Sequence, residues 1–298
     1  MVNDGKGVLL FGGFNGSAVL NDSWYWNGTS WLQVTTLPAA TPPARSNAAI
    51  AFNGSKVVLF GGACGYPVAT TTCYLNDTWT WDPTSQTWAS VAGAGPSARA
   101  ASMLAKDSSY NNLLLFGGKF TTGTTTTYFG DSWTFNGTNW ALKTLSTAPM
   151  ARAYSAMATD TSGQVVLFGG FDGTYLNDTW RWNGTAWSQA VTYAQPPVRK
   201  MAAFSLFYHP NGGTALGLAL FGGRDAGTDP GGTRPTRRHY STQAPPSVPA
   251  HPPARCAAPP LTAAPPPRRC PPPPSPPSAP PPSHRGTSPR LPWRRGQG

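Results

Sequence analysis

The tetrapeptide Leu-Phe-Gly-Gly occurs five times in this 298-residue chain, ending at Gly13, Gly62, Gly118, Gly170 and Gly223. Its surroundings recur with it. Residues 8–31 read VLLFGGFNGSAVLNDSWYWNGTSW, and residues 165–187 read VVLFGGFDGTYLNDTWRWNGTAW. Residues 57–88 and 113–140 carry the same pattern with longer middles. The first glycines, Gly12, Gly61, Gly117, Gly169 and Gly222, lie 49, 56, 52 and 53 residues apart. A period near 50 built from short segments indicates a propeller or a similar array of repeated units.

Each unit divides into four strand candidates of ordinary length. The first follows an arginine: Arg45, Arg99, Arg152 or Arg199. The second is the apolar run that ends in Gly-Gly. The third carries Asp-Ser/Thr-Trp, with Trp24, Trp79, Trp133 or Trp180 as its first ring. The fourth begins at Trp31, Trp88, Trp140 or Trp187. Asn27-Gly28, Asn136-Gly137 and Asn183-Gly184 join third to fourth strands and supply the positive φ of tight hairpins. The unit therefore reads as a four-stranded antiparallel meander. Continuous apolar second strands (VVLF, LLLF) indicate sheets covered on both faces. The glycine pairs, Gly12-Gly13, Gly61-Gly62, Gly117-Gly118, Gly169-Gly170 and Gly222-Gly223, are expected where a large ring of the same unit approaches the backbone. The tryptophans recur in step with them. That favours packing between units over a stacking platform for sugars or bases.

Composition divides the chain near residue 230. Residues 1–230 hold 12 Lys/Arg and 11 Asp, a net +1, whereas residues 231–298 hold 10 Arg and no acid, a net +10. The basic balance thus belongs to the tail, and the repeated part has no basic face that argues for nucleic acid. Of the 33 prolines, 22 lie in 231–298. Such a segment cannot bury enough surface to order itself, so a disordered Pro/Arg-rich tail is expected. Two origins fit it: a Pro-rich stalk, or a reading-frame error in GC-rich DNA. No apolar run approaches the roughly 20 residues that span a bilayer, so no membrane insertion is expected. The start, MVNDGKGVLLFGG, shows no signal region and aligns with the second half of a unit, so the first unit is expected to lack its first strand.

Four hydrophobics, Gly-Gly, a spaced Asp-Ser/Thr-Trp-x-Trp and a further Trp, at this period, resemble the Kelch-repeat β-propeller family over about residues 2–223. The resemblance implies an all-β propeller of four-stranded antiparallel blades. Repeats fall near 1–40, 41–95, 96–148 and 149–195, with a partial unit over 196–230. About four to five blades are covered, fewer than the six or seven with which such propellers usually close. Most family members are protein-interaction platforms. A minority are enzymes, including galactose-oxidase-like copper proteins.

Catalytic chemistry finds little material here. Copper oxidation needs imidazole ligands, and the repeated part has one histidine, His209, beside a turn. No cofactor and no metal site are expected, and a non-catalytic binding module for a protein or peptide is the leading reading. The alternative is an extracellular carbohydrate-associated or galactose-oxidase-like enzyme whose catalytic residues lie in blades not covered here. Arg45, Arg99, Arg152 and Arg199 stand as candidate binding residues, since the resemblance implies that arginines at this point can line a face that captures acidic peptides. An Arg–Asp pair in each unit is the competing reading. Cys64 and Cys73 flank an enlarged loop. A disulfide there would close ten residues and favour an oxidising, extracellular or cell-surface setting; two free thiols are the alternative. Eight N-x-Ser/Thr sequons, at Asn15, Asn21, Asn27, Asn53, Asn76, Asn136, Asn177 and Asn183, fall mostly in the repeated turns. The second-to-third loops vary most in length, and variable loops on a rigid scaffold are where recognition usually resides. The binding face is therefore expected at that end, with an acidic partner.

Overall fold

The structure, a computed structural model, describes residues 1–35, 40–65, 73–107, 112–208, 215–225 and 227. His209 and the expected tail over 231–298 lie outside them. Among the described residues all regular structure is β. The first sheet is β1 (Val2–Asn3), β2 (Val8–Phe14), β3 (Val19–Trp26) and β4 (Trp31–Gln33). The second is β5 (Ala49–Phe52), β6 (Val57–Ala63), β7 (Tyr74–Asp82) and β8 (Thr87–Val91). The third is β9 (Met103–Lys106), β10 (Leu113–Phe116), β13 (Ser132–Phe135) and β14 (Trp140–Lys143), with a hairpin, β11 (Lys119–Thr122) and β12 (Thr125–Tyr128), inserted after β10. The fourth is β15 (Ala156–Thr159), β16 (Val165–Phe171), β17 (Tyr175–Trp182) and β18 (Trp187–Ala190). A last pair is β19 (Ala203–Tyr208) and β20 (Ala215–Phe221). Every pairing is antiparallel between neighbours, so the four-stranded sheets are meanders. Neighbouring sheets touch through their first strands: β1 with β5, β5 with β9, β9 with β15, and β15 with β19.

The apolar second strands are buried on both faces because each sheet lies between two others. On β6, Val57 and Leu59 pack with Leu9, Tyr25, Trp81 and Trp88. Val58 and Phe60, on the other face, pack with Leu104, Leu113, Leu115 and Phe135. The same alternation on β10 sends Leu114 and Phe116 toward Val165 and Leu167 of β16. A period-2 strand with neighbours on both sides has no polar face to display, hence the unbroken VVLF.

The glycine pair has a cause other than the expected ring. In β6 the ladder slips between Phe60 and Gly62. A Cβ on Gly61, at φ +62°, would stand 2.6 Å from the carbonyl oxygen of Arg99, which belongs to the next unit. Gly62, at φ +108°, donates its N–H to that same oxygen at 2.9 Å. The neighbour is therefore backbone, and the pair forms a bulge that admits it. Gly12, Gly117 and Gly169 meet Arg45, Arg152 and Arg199 in the same way.

Each letter of Asp-Ser/Thr-Trp also has its task. Trp79 Nε1 donates to Asp77 at 2.7 Å, as Trp24, Trp133 and Trp180 do to Asp22, Asp131 and Asp178. The middle hydroxyl serves the next sheet: Ser23 accepts from Trp88 Nε1, Thr78 from Trp140 and Ser132 from Trp187. The same fourth-strand rings pack edge-on against Phe11, Phe60 and Phe116 of the preceding sheet, at centroid distances of 5.1, 5.3 and 5.5 Å. These tryptophans hold one sheet to the next through an apolar contact and a polar one. The sequons have a local cause as well. Asn27, Asn136 and Asn183 each accept through Oδ1 from the N–H two and three residues on and from the threonine hydroxyl, an Asx turn.

Two expectations need correction. The first unit has its first strand: Val2 and Asn3 pair with Leu9 and Val8, and Asp4 caps the turn through the N–H groups of Lys6 and Gly7. Two residues are too few to show alternation in the sequence. The second-to-third loops are shorter than their sequence suggests. Beyond the bulge the strands resume pairing, Gly62 with Leu75 and Ala63 with Tyr74, and the 119–130 segment is mostly the β11–β12 hairpin.

Candidate functional site

The four arginines begin the approach to each first strand, which starts four residues after them. Their main chains belong to the preceding unit. Arg99 N–H donates to Leu75 O at 3.1 Å, and its carbonyl accepts from Gly62. Their side chains turn into their own unit. Arg45 makes a two-pronged contact with Asp77, both bonds at 2.7 Å, and donates to Gly61 O and Pro43 O. Arg99 and Arg152 do the same with Asp131 and Asp178. The side chains of Arg45, Arg99 and Arg152 are at most 1% exposed. Burial works against ionisation of Asp77, Asp131 and Asp178, but the arginine bonds and charge, with the tryptophan N–H, outweigh it and hold each carboxyl below its ordinary value. The placement of these three arginines as ligand-facing groups is thus corrected. A guanidinium whose donors are used inside the fold cannot also meet a partner. The paired aspartates stand 32, 32 and 26 residues downstream, since each pair closes within one sheet. Arg199 differs. It donates to Pro197 O and Gly222 O, and no carboxylate meets it among the described residues.

The end of the sheets that carries these arginines holds a different group of side chains. Two residues after each arginine the backbone turns left-handed: Asn47 (φ 52°), Ala101 (55°), Tyr154 (61°) and Met201 (59°). Their amides link unit to unit, with Ala101 N–H on Asn47 O, Tyr154 on Ala101 and Met201 on Tyr154, at 2.8, 3.0 and 2.8 Å. Non-glycine residues in this region are strained and persist only where the surroundings enforce them. Beside this run, the residue after each arginine bridges the residue after each Gly-Gly: Ala100 with Lys119, Ala153 with Phe171, Lys200 with Arg224.

Those bridges gather two lysines and several rings. Lys119 Nζ lies 5.6 Å from the Tyr154 ring centre, and Lys200 Nζ lies 4.5 and 4.8 Å from Phe171 and Tyr175. Phe171 packs edge-on to Tyr175 at 5.1 Å and to Tyr128 of the inserted hairpin at 6.1 Å. Burial, then the charge of Lys200, lowers the pKa of Lys119. Burial, with Tyr74 and Tyr128 nearby, pushes Tyr154 up to about 12. Its hydroxyl therefore keeps its proton and remains a donor. Cations over ring faces beside a neutral phenol favour an incoming anion. On the same end, Cys64 and Cys73 are joined as a disulfide with Cα atoms 5.3 Å apart, Cys64 N–H also donating to Cys73 O at 3.0 Å. Tyr74 beside it meets Phe120 of the hairpin at 4.9 Å.

Sequence reasoning did not single out Lys119, Lys200, Tyr154 or Phe171. A signal was present. The position after Gly-Gly reads Phe14, Ala63, Lys119, Phe171 and Arg224, and the position after the arginine reads Ser46, Ala100, Ala153 and Lys200. These vary where their neighbours are constant. Among the described residues no three His, Cys, Asp or Glu side chains group as metal ligands, and no helix is long and apolar enough to cross a membrane.

The family model of the Kelch motif matches residues 44–94. That span opens one residue before Arg45 and takes in the whole second sheet, β5 to β8. Its arginine, glycine pair, Asp-Thr-Trp and fourth-strand Trp88 recur in the third and fourth sheets with the same contacts. Residues 44–94 thus carry a Kelch motif, and the four-stranded antiparallel sheets are consistent with the blades of a Kelch-type β-propeller.

Proposed function

We propose that this chain is a non-catalytic interaction module, and that its partner is an acidic segment of protein or peptide meeting the end that carries Lys119 and Lys200. Kelch repeats commonly serve protein interaction and are generally non-catalytic, which supports the first half of this reading. One observation carries the second. Lys119 is a half-buried ammonium with a lowered pKa, set over Tyr154, and no carboxylate pairs with it among the described residues. A partially desolvated cation gains more from an incoming carboxylate than a solvated one. Phe171, Tyr175 and Tyr128 offer apolar surface to the flanking residues of such a segment. The disulfide supports an oxidising compartment.

The test is selection of random peptides on the full chain. Enrichment in Asp and Glu is expected, with binding that weakens as salt rises. Lys119→Ala is expected to reduce affinity about tenfold, the size of a charge-assisted bond. Replacement of Asn136-Gly137 by Asp-Gly, at the other end of the blade, is expected to leave it unchanged. Peptides without acidic enrichment, or equal binding by Lys119→Ala, would refute the reading. Because a bound carboxylate favours protonated Lys119, affinity is also expected to fall as pH rises through the lowered pKa of that lysine.

A further inference from the structure

We propose that the outer edge of β20 is a second binding site, which takes an extended peptide containing Asp-Ser/Thr-Trp as an added third strand. The other second strands, β2, β6, β10 and β16, each pair with a third strand of this kind, whereas among the described residues β20 pairs only with β19. The receiving groups are already placed. Arg199 holds Pro197 O at 3.1 Å and Gly222 O at 3.0 Å, as Arg45 holds Pro43 O at 2.9 Å and Gly61 O at 3.0 Å. Among the described residues, Arg199 lacks only the carboxylate that completes Arg45. The glycine pair has its bulge conformation, φ 69° and 95° at Gly222 and Gly223. A Cβ on Gly222 would meet nothing within 4 Å, where one on Gly61 meets the carbonyls of Arg99 and Leu75. Phe221 is 77% exposed, and its counterpart Phe60 is 0% exposed.

The occupant follows from the blades that are filled. In the second sheet Phe60 faces Thr78, Leu59 faces Trp79 and Val57 faces Trp81. Transposed to β20, Phe221 faces the Ser or Thr, Leu220 the first Trp and Leu218 the second. The Asp then reaches Arg199 in the two-pronged form that Asp77 takes with Arg45. Main-chain bonds along the edge give affinity and the Asp–Arg pair gives register, as in other cases of strand addition. Residues 224–298 contain no Asp-Ser/Thr-Trp, and the ligand proposed is a separate polypeptide that carries it. A guanidinium already held in position loses little freedom on binding.

The test uses the full chain and a labelled peptide of residues 175–184, Tyr-Leu-Asn-Asp-Thr-Trp-Arg-Trp-Asn-Gly, with binding read by fluorescence anisotropy. Saturable binding is expected. The peptide with Asp178→Ala, or the chain with Arg199→Ala, is expected to bind roughly tenfold or more weakly, and the two changes together should cost little beyond either alone. Hydrogen exchange should show protection gained along β20. A thermal melt checks folding of the arginine variant; if it does not fold, the peptide pair decides alone. Absence of binding, equal affinity for the Asp178→Ala peptide, or self-association of the chain with which the peptide does not compete would each overturn the proposal. The site shares no residue with the lysine cluster, so failure here leaves the acidic-partner reading untouched.

Discussion

At the scale of single residues, the Asp–Arg pairs are asymmetric. Arg99 is 1% exposed, whereas Asp131 is 29% exposed. Removing the carboxylate strands a buried guanidinium; removing the guanidinium leaves a carboxylate that water can reach. Asp131→Asn is therefore expected to destabilise by about 3 kcal/mol or more. Arg99→Met, which keeps most of the volume, should cost clearly less. Chemical denaturation of the two variants checks the order, and the reverse order would mean that the other contacts of the guanidinium, not the charge pair, carry the contribution. The Phe129 ring, 3.9 Å from the Arg99 guanidinium carbon, is the contact that would then matter.

At the scale of the element, the bulge in each second strand separates two properties of glycine. Ala at Gly61 would suffer both left-handed strain and collision with the Arg99 carbonyl; Ala at Gly222 would suffer strain alone. Left-handed strain costs about 1–2 kcal/mol, so Gly222→Ala should lose about that much and Gly61→Ala distinctly more. Equal losses in urea melts would show that the bulge relaxes away from its neighbour. The elements were largely legible in the sequence, because hydrophobic period, Asn-Gly turns and the unit spacing agreed. β1 was not, since a two-residue strand carries no pattern. The β11–β12 hairpin was missed because KFTTGTTTTY lacks apolar alternation; its register comes from the Gly123 turn, φ 58°, and from cross-strand threonines.

At the scale of the whole molecule, the described sheets form a series in which each touches the next, and stability in such arrays is a sum of unit and neighbour terms. The pair β19–β20 has a neighbour on one side only among the described residues, so its amides are expected to exchange fastest, and those of β6 and β10 slowest, in hydrogen-exchange mass spectrometry. Acid acts on all units together. The carboxyls of Asp77, Asp131 and Asp178 lie below their ordinary 3.8 in the folded state. Their contribution is complete above that value and is lost as pH falls through the lowered folded pKa. Melting temperature is therefore expected to hold above about pH 4 and to drop below it, with a shallower drop in Asp131→Asn. An unchanged acid limb in that variant would count against the pairs as its source.

What the sequence determined by itself is whatever a repeat states several times. The blade, its four strands, its two-sided burial and its tight turns follow from period and pattern, since backbone geometry allows few other readings of them. Tertiary structure decided which aspartate each arginine takes, because Asp lies both upstream and downstream at comparable distance and only the closing of one sheet selects between them. It also decided why Gly-Gly is required, since the Arg99 carbonyl that excludes a Cβ arrives from the next blade. And it brought Lys119, Lys200, Tyr154 and Phe171 together, from three successive units, at one end. No local pattern encodes that meeting; it exists only once consecutive sheets stack through their first strands.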